Sequence, residues 1–362
     1  MAWLNSSSSG CGLVSCDWFG LSCLLSAPRG ARPLVVPNGW SAVQMSPTAV
    51  WADRFFILDE VGNKVATVLC SPRTPCMDAR RALVEIANRW LYDDGFHAVC
   101  DAVLSCLPMA ITGLNRVDLC CDFEMTNELW ETYSALADGR AYIKALKQGS
   151  LFWQMVVEPF GCADAMRIPH CLSFGGKESL FKWKVYYKWL ELQQADDDAK
   201  KPYISELWRA AGFDERCVWR VEVSISGSNK LVGVDGARIP AFSWYDERVR
   251  LFCDLYADKF EVRLNQHHKD KRNDRVLPFL VVDGMKSIKH ASALREMGDS
   301  DPERRLICKL WRECMAVDVQ ANHELFDMLR SNIYTLCEKP ANVWALRHCL
   351  GVEVDDIERL LQ

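Results

Sequence analysis

The chain contains no uninterrupted run of about 18 apolar residues, the length a helix needs to cross the hydrocarbon of a bilayer, so no membrane-spanning helix is expected. The stretch from Met1 to Ser26 lacks a basic start and carries Asp17 within its apolar part, so no signal peptide is expected either. Positive charge is not in excess: 43 Lys and Arg against 48 Asp and Glu leave a net charge of −5. A nucleic-acid partner would have to be met by a local basic surface, because bulk charge does not announce one. No segment repeats at a solenoid period. The 17 cysteines are scattered, odd in number and include no CxxC pair, which removes the usual zinc and redox arrangements. Cys120 and Cys121 are adjacent, so on a strand they point to opposite faces and cannot ligate one ion together. Reduced core cysteines and a reducing cytoplasm are the expectation.

What is present is enough apolar material, 49% of 362 residues, to bury one large core or two smaller ones. Residues 1–11 read as a flexible polar leader. Strands are predicted over 13–25, 49–58, 64–70, 115–124, 151–157, 171–174, 180–192 and 217–226, with a hairpin through Glu60-Val61-Gly62-Asn63. Helical spacing is read over 78–90, 95–107, from Thr126 to about Lys147, 203–211 and 243–264. Beyond about residue 276 helical periodicity takes over, near 285–297, 302–316, 322–336 and 341–361. The expected fold class is α+β: an antiparallel sheet with helices on one face, followed by a helical C-terminal region. The expected units are 12–268 and 276–362, separated by the charged stretch Gln266 to Arg275.

Three of these strands carry reactive side chains on one face. Arg116, Asp118, Asp122 and Glu124 alternate with Val117, Leu119, Cys121 and Phe123; Arg220, Glu222, Ser224 and Ser226 alternate with Val221, Val223 and Ile225. Between them in sequence, Lys182, Lys184, Tyr186 and Lys188 share a face opposite Trp183, Val185, Tyr187 and Trp189. If these strands are neighbours, a phenol, several cations and several acids meet on one surface, which is what metal-assisted attack on a phosphodiester requires. Flanking lysines would lower the phenol's pKa and hold the phosphate. Mg²⁺ or Mn²⁺ suits carboxylate oxygens better than zinc does.

Tyr186-Tyr187-Lys188-Trp189-Leu190-Glu191 fits the pattern Tyr-x-Lys-x-x-Glu, preceded by Gly175-Gly176-Lys177-Glu178-Ser179. Arg116-Val117-Asp118 and Asp122 lie upstream, Trp219-Arg220-Val221-Glu222 downstream, and a strand around Asp17-Trp18 opens the set. In this order, over roughly residues 12–265, the chain resembles phage replication initiation factors and the related initiators of rolling-circle plasmids. The resemblance implies a nicking and joining endonuclease that acts on one strand of single-stranded or supercoiled origin DNA, working as a monomer or homodimer in a bacterial host cytoplasm with a host helicase as partner. It implies Tyr186 as the nucleophile that keeps a 5′-phosphotyrosyl link, with Lys188 and Arg220 beside it. Asp118, Glu222 and Asp122 are then the metal ligands. The sequence departs from the pattern in placing Tyr187 beside Tyr186, which leaves Tyr187 as the alternative nucleophile, although period two aims it into the apolar face. The histidine-hydrophobic-histidine motif of the other large class of rolling-circle nickases is absent, since His267 and His268 are adjacent.

Arg116, Lys182 and Lys184, with Lys269, Lys271 and Arg272, are the candidate DNA contacts. Taken singly, each feature also fits a solvated strand face, and two other readings stay open: a metal-dependent nuclease or polymerase-like palm without a covalent intermediate, and a noncatalytic module that binds single strands.

Overall fold

Apolar side chains recurring at every second residue fold here as strands of one sheet. The computed structural model describes residues 2–4, 12–30, 33–74, 77–144, 146, 148–156, 166–176, 179–194, 201–226, 231–233, 237–265, 274–277, 279–280, 289–290, 302–318, 322–337, 343, 346 and 354–361. The chain divides into two units, residues 1–290 and 291–362.

In the first unit the elements run β1 (Ala2–Leu4), β2 (Gly12–Leu25), β3 (Ser41–Met45), β4 (Trp51–Leu58), β5 (Lys64–Pro72), β6 (Arg81–Ile86), α1 (Asn88–Leu91), α2 (Phe96–Ser105), β7 (Met109–Glu124), α3 (Asn127–Ala137), β8 (Ala141–Ile143), β9 (Gln148–Val156), β10 (Met166–Phe174), β11 (Phe181–Tyr186), α4 (Lys188–Gln194), α5 (Pro202–Ala210), β12 (Val218–Ser226), β13 (Leu231–Val232), α6 (Ser243–Asp246), α7 (Arg248–Lys259), β14 (Val262–Leu264) and β15 (Lys289–His290). The main sheet has the order β3-β4-β5-β6-β2-β7-β12-β11-β10-β9, with β1 paired to β2 inside the stretch read as a leader. Every pair in it is antiparallel. The three strands singled out by sequence are therefore consecutive neighbours, β7-β12-β11, at the centre of the sheet.

One face of the sheet carries the main core. Val117, Leu119, Cys121 and Phe123 of β7 and Val221, Val223 and Ile225 of β12 pack with Phe96 and Val103 of α2, Leu129 and Tyr133 of α3, and Leu251, Phe252 and Tyr256 of α7. Burying each such side chain contributes about 1.5–3 kcal/mol, which commits the register: a slip of one residue would turn the acids into this core. Among the described residues, helices cover one end of the opposite face. A small cluster of Leu13, Leu192, Ile204, Trp208, Phe213 and Val218 seats α4 and α5 there.

The structure corrects several element assignments. Residues 81–86 form a strand because Ala82, Val84 and Ile86 alternate inward between β5 and β2; only Asn88–Leu91 of the expected 78–90 helix is helical. The helix capped by Thr126, whose hydroxyl accepts from the Leu129 amide, stops at Ala137, ten residues early. Gly139 follows at φ +79°, a left-handed conformation that ends helices. The expected long strand 180–192 breaks at Tyr186, because Lys188 to Gln194, rich in Leu, Glu and Gln, winds as α4. The expected 243–264 helix divides into α6, α7 and β14. Within the expected 285–297 helix, Lys289 and His290 pair with β13, and the remainder lies outside the described residues.

Gly175 closes the turn from β10 to β11 at φ +103°, and a Cβ there would stand 2.6 Å from the Phe181 carbonyl oxygen. Gly175→Ala is therefore expected to lower stability by about 2 kcal/mol or more, read as a drop in the urea midpoint at unchanged slope. An unchanged midpoint would refute this account of the turn.

The second unit has helices α8 (Pro302–Ala316), α9 (His323–Cys337) and α10 (Val354–Leu361) around Ile307, Trp311, Cys314, Leu329, Ile333, Leu346 and Ile357. No helix among the described residues is long and apolar enough to cross a membrane.

Candidate active site

Antiparallel register decides which side chains meet. Lys184 lies directly across from Glu222, Tyr186 from Arg220, Ser224 from Asp118 and Asp122 from Arg220. Directly opposed residues share a face, so all of these project to the side away from the main core. Two separate environments result on that one face.

Under the α4–α5 cap lies a buried ion cluster. Arg220 is fully buried; its Nε donates to Asp122 Oδ1 at 2.5 Å, its Nη2 to Asp122 Oδ2 at 2.8 Å, and its Nη1 sits 2.9 Å from Asp17 Oδ1. Trp208 Nε1 of α5 donates to Asp122 Oδ2 at 2.8 Å, and the Tyr92 hydroxyl donates to Asp17 Oδ1 at 2.8 Å. Burial raises the Asp17 pKa, but Arg220 and two further cations, Lys188 and Lys201, hold it well below the ordinary carboxylate range. Both Asp122 oxygens are thus held by protein donors beneath the cap, and Asp122 does not line the cleft described next. Asp122 and Arg220, expected as metal ligand and catalytic group, stand behind the site as its foundation.

Beyond the cap the face is open and forms a cleft of about 730 Å³. Its wall includes Trp18, Arg116, Asp118, Lys184, Tyr186 and Glu222. The Tyr186 hydroxyl donates to Glu222 Oε2 at 2.9 Å, while Lys184 Nζ reaches Glu222 Oε1 at 3.4 Å. Arg116 grips Asp118 with both prongs, Nε to Oδ1 at 2.9 Å and Nη2 to Oδ2 at 2.5 Å. Lys188, at the start of α4, remains beside the phenol: its Nζ is 3.5 Å from the Tyr186 oxygen and also pairs with Glu191.

The sequence expectation that Lys184 and Lys188 depress the phenol's pKa is not met. Burial, and after it the Glu222 carboxylate, push Tyr186 well above the ordinary tyrosine value, with Arg220 opposing. The lysine charges go to Glu222 and Glu191 instead. Tyr186 is accordingly a neutral phenol with a carboxylate as its hydrogen-bond acceptor, the arrangement of a nucleophile and its general base. Tyr187 has a different role: its ring stacks on Trp219 at 5.1 Å between centroids and 10° between planes, and its hydroxyl donates to the Arg216 carbonyl.

Among the described residues no group of three or more His, Cys, Asp or Glu side chains is placed to hold an ion. Asp118 and Glu222 nonetheless open to the same cleft from adjacent strands. The Asp118 pKa is raised by burial, and further by the negative charge of Glu222. Arg116 already holds both Asp118 oxygens, and Tyr186 and Lys184 hold those of Glu222, so an ion would have to share them; a carboxylate offers about four lone-pair sites, and Mg²⁺ needs only one or two carboxylates when water and substrate phosphates complete its shell.

Of the expected DNA contacts, Arg116 and Lys184 line the cleft, whereas Lys182 is exposed on β11 outside its wall. Lys269, Lys271 and Arg272 lie outside the described residues. Asn88 and Lys201 join the cleft wall without having been expected there, and so do Asp17 and Glu191, which the quoted motifs contain but to which no site role was given. Asp17 had a legible signal: a lone carboxylate in an apolar strand must find a buried partner. Asn88 and Lys201 had none.

No protein-family model matches the chain, and no curated protein matches it. Among solved structures, the chain is similar to the rolling circle replication initiator protein from Geobacillus stearothermophilus, with a TM-score of 0.42 and 14% identity over 74% of this chain and 93% of that one.

Proposed function

We propose that the protein is a DNA nicking and joining enzyme that starts rolling-circle replication with Tyr186 as its nucleophile. The observation that carries this reading is the hydrogen bond from the Tyr186 hydroxyl to Glu222, inside a cleft that also presents Asp118, Arg116 and Lys184. The Tyr186 oxygen attacks the scissile phosphorus, its proton passes to Glu222 Oε2, and the bond from phosphorus to the 3′ oxygen breaks. The departing 3′ oxygen takes a proton from water, and the 5′ phosphate stays on the tyrosine. Arg116 and Lys184 face the non-bridging oxygens as these gain charge. Mg²⁺ or Mn²⁺ held by Asp118 and Glu222 would supply Lewis-acid polarisation of the phosphate. The freed 3′ hydroxyl primes synthesis, and a host helicase is the partner class needed to unwind the duplex.

The test is a covalent adduct. Supercoiled and single-stranded circles carrying the DNA that flanks the gene, incubated with the protein and Mn²⁺, should yield a denaturation-resistant species whose peptide map places the nucleotide on Tyr186. Cleavage with no adduct would replace this reading with the hydrolytic one. Binding with no cleavage at any metal concentration would replace it with a noncatalytic module.

The ion has its own check. Mn²⁺ is expected to raise the thermal midpoint of the wild type, and Asp118→Asn is expected to remove most of that rise, because the site then has one carboxylate. An equal rise in both proteins would remove Asp118 from the ligand set.

A further inference from the structure

Strand β2 carries one extra residue against β7. Cys16 pairs with Leu119 and Trp18 with Asp118, so Asp17 is inserted between them as a β-bulge. A bulge lets two consecutive side chains reach the same face: Asp17 joins the Arg220 cluster and Trp18 lands beside Asp118 in the cleft wall. The next residue on that face is Gly20, where a Cβ would stand 3.5 Å from Trp18 Nε1. The indole therefore lies along the strand within van der Waals reach of the Gly20 position. Arg116, already fixed on Asp118, places its guanidinium carbon 4.9 Å from the indole ring centre. Trp183, Trp208, Trp219 and Trp244 are wholly buried, whereas Trp18 keeps 37% of its surface open. A large aromatic ring that is positioned on two sides and left open, next to groups suited to a phosphodiester, is a stacking surface.

We infer that Trp18 is the platform on which an unpaired nucleobase beside the scissile phosphate stacks, which makes it a residue that selects single-stranded DNA. The inference rests on the nicking reading for the position of the phosphate. A base within a duplex has both faces covered by its neighbours, so only an extruded or unpaired base can use the indole. Stacking on an aromatic is tolerant of base identity, so Trp18 selects strandedness and leaves the choice of sequence to other contacts.

The test compares an oligothymidine of about 20 nucleotides with a chain of equal length that lacks bases, at fixed salt, using a Tyr186→Phe background so that no strand is cut. The parent is expected to bind the oligothymidine about 5- to 100-fold more tightly than the base-free chain. Trp18→Leu should bring the two affinities within about twofold by losing only the base-dependent part, and Trp18→Phe should retain part of the preference. Thermal midpoints of both variants confirm that they are folded. Full preference retained in Trp18→Leu, or no preference in the parent, overturns the inference. Adduct formation by the otherwise unaltered protein reports separately on the nicking reading: an adduct with no Trp18 effect rejects the platform alone, and a Trp18 effect with no adduct supports the platform while rejecting the covalent nicking reading.

Discussion

Replacing Tyr186 with phenylalanine is expected to eliminate the protein–DNA adduct and to lower nicking by roughly 10³-fold or more, because the proposed attack needs the Tyr186 oxygen that Glu222 holds. Tyr187→Phe is expected to leave the adduct in place. The Tyr187 hydroxyl serves the Arg216 carbonyl and its ring serves the core, so this change shows in stability and not in chemistry. Glu222→Gln belongs to the same prediction. It leaves a phenol with a poor proton acceptor, and general-base catalysis contributes about 10²- to 10⁴-fold, so the variant should nick slowly and still form the adduct. The readout is a gel of radiolabelled strand under denaturing conditions. An adduct that survives in Tyr186→Phe and vanishes in Tyr187→Phe would move the nucleophile by one residue; survival in both would end the tyrosine mechanism.

The second large effect is on stability. Arg220→Leu should destabilise the first unit by about 3–5 kcal/mol, since it strands two carboxylates, Asp122 and Asp17, beneath the α4–α5 cap. Equilibrium urea denaturation measures it. Adding Asp122→Asn and Asp17→Asn to Arg220→Leu should recover much of the loss, because the cost lies in unpaired buried charge. No recovery would mean that the loss came from packing. The acid limb follows from Asp17. Its folded pKa is depressed, so its contribution is present above the unfolded value of about 3.9 and disappears as pH falls through the lower folded value. The wild type should therefore lose stability in strongly acidic solution more steeply than Asp17→Asn does.

The centre of the sheet was legible because period two is a strong signal wherever one face is buried. Arg116 to Glu124, Lys182 to Tyr186 and Trp219 to Ser226 fold as the alternation indicates, and they are neighbours. The alternation could not show that the polar face has two halves. Asp118 and Asp122 have the same period and the same chemistry, yet one lines a cleft and the other lies under Trp208, a residue 86 positions away. That distinction is set by a helix the strand pattern cannot see. The direction of the Tyr186 pKa has the same origin: burial raises it first, then Glu222 across the ladder, which also takes the charge of Lys184. The end of β11 was misread because Trp189 and Leu192 satisfy both periods over so short a span, and the propensity of Lys188 to Gln194 for a helix prevailed.

Tyr186 is the last residue of a central strand, not the tip of a loop. A polynucleotide end attached there would be moored to a strand hydrogen-bonded on both sides within the sheet, while the opposite end would depart with the advancing fork. On the proposed reading, a returning end would meet a partner that has kept its place, so resealing would be an encounter within one complex and not a search through solution.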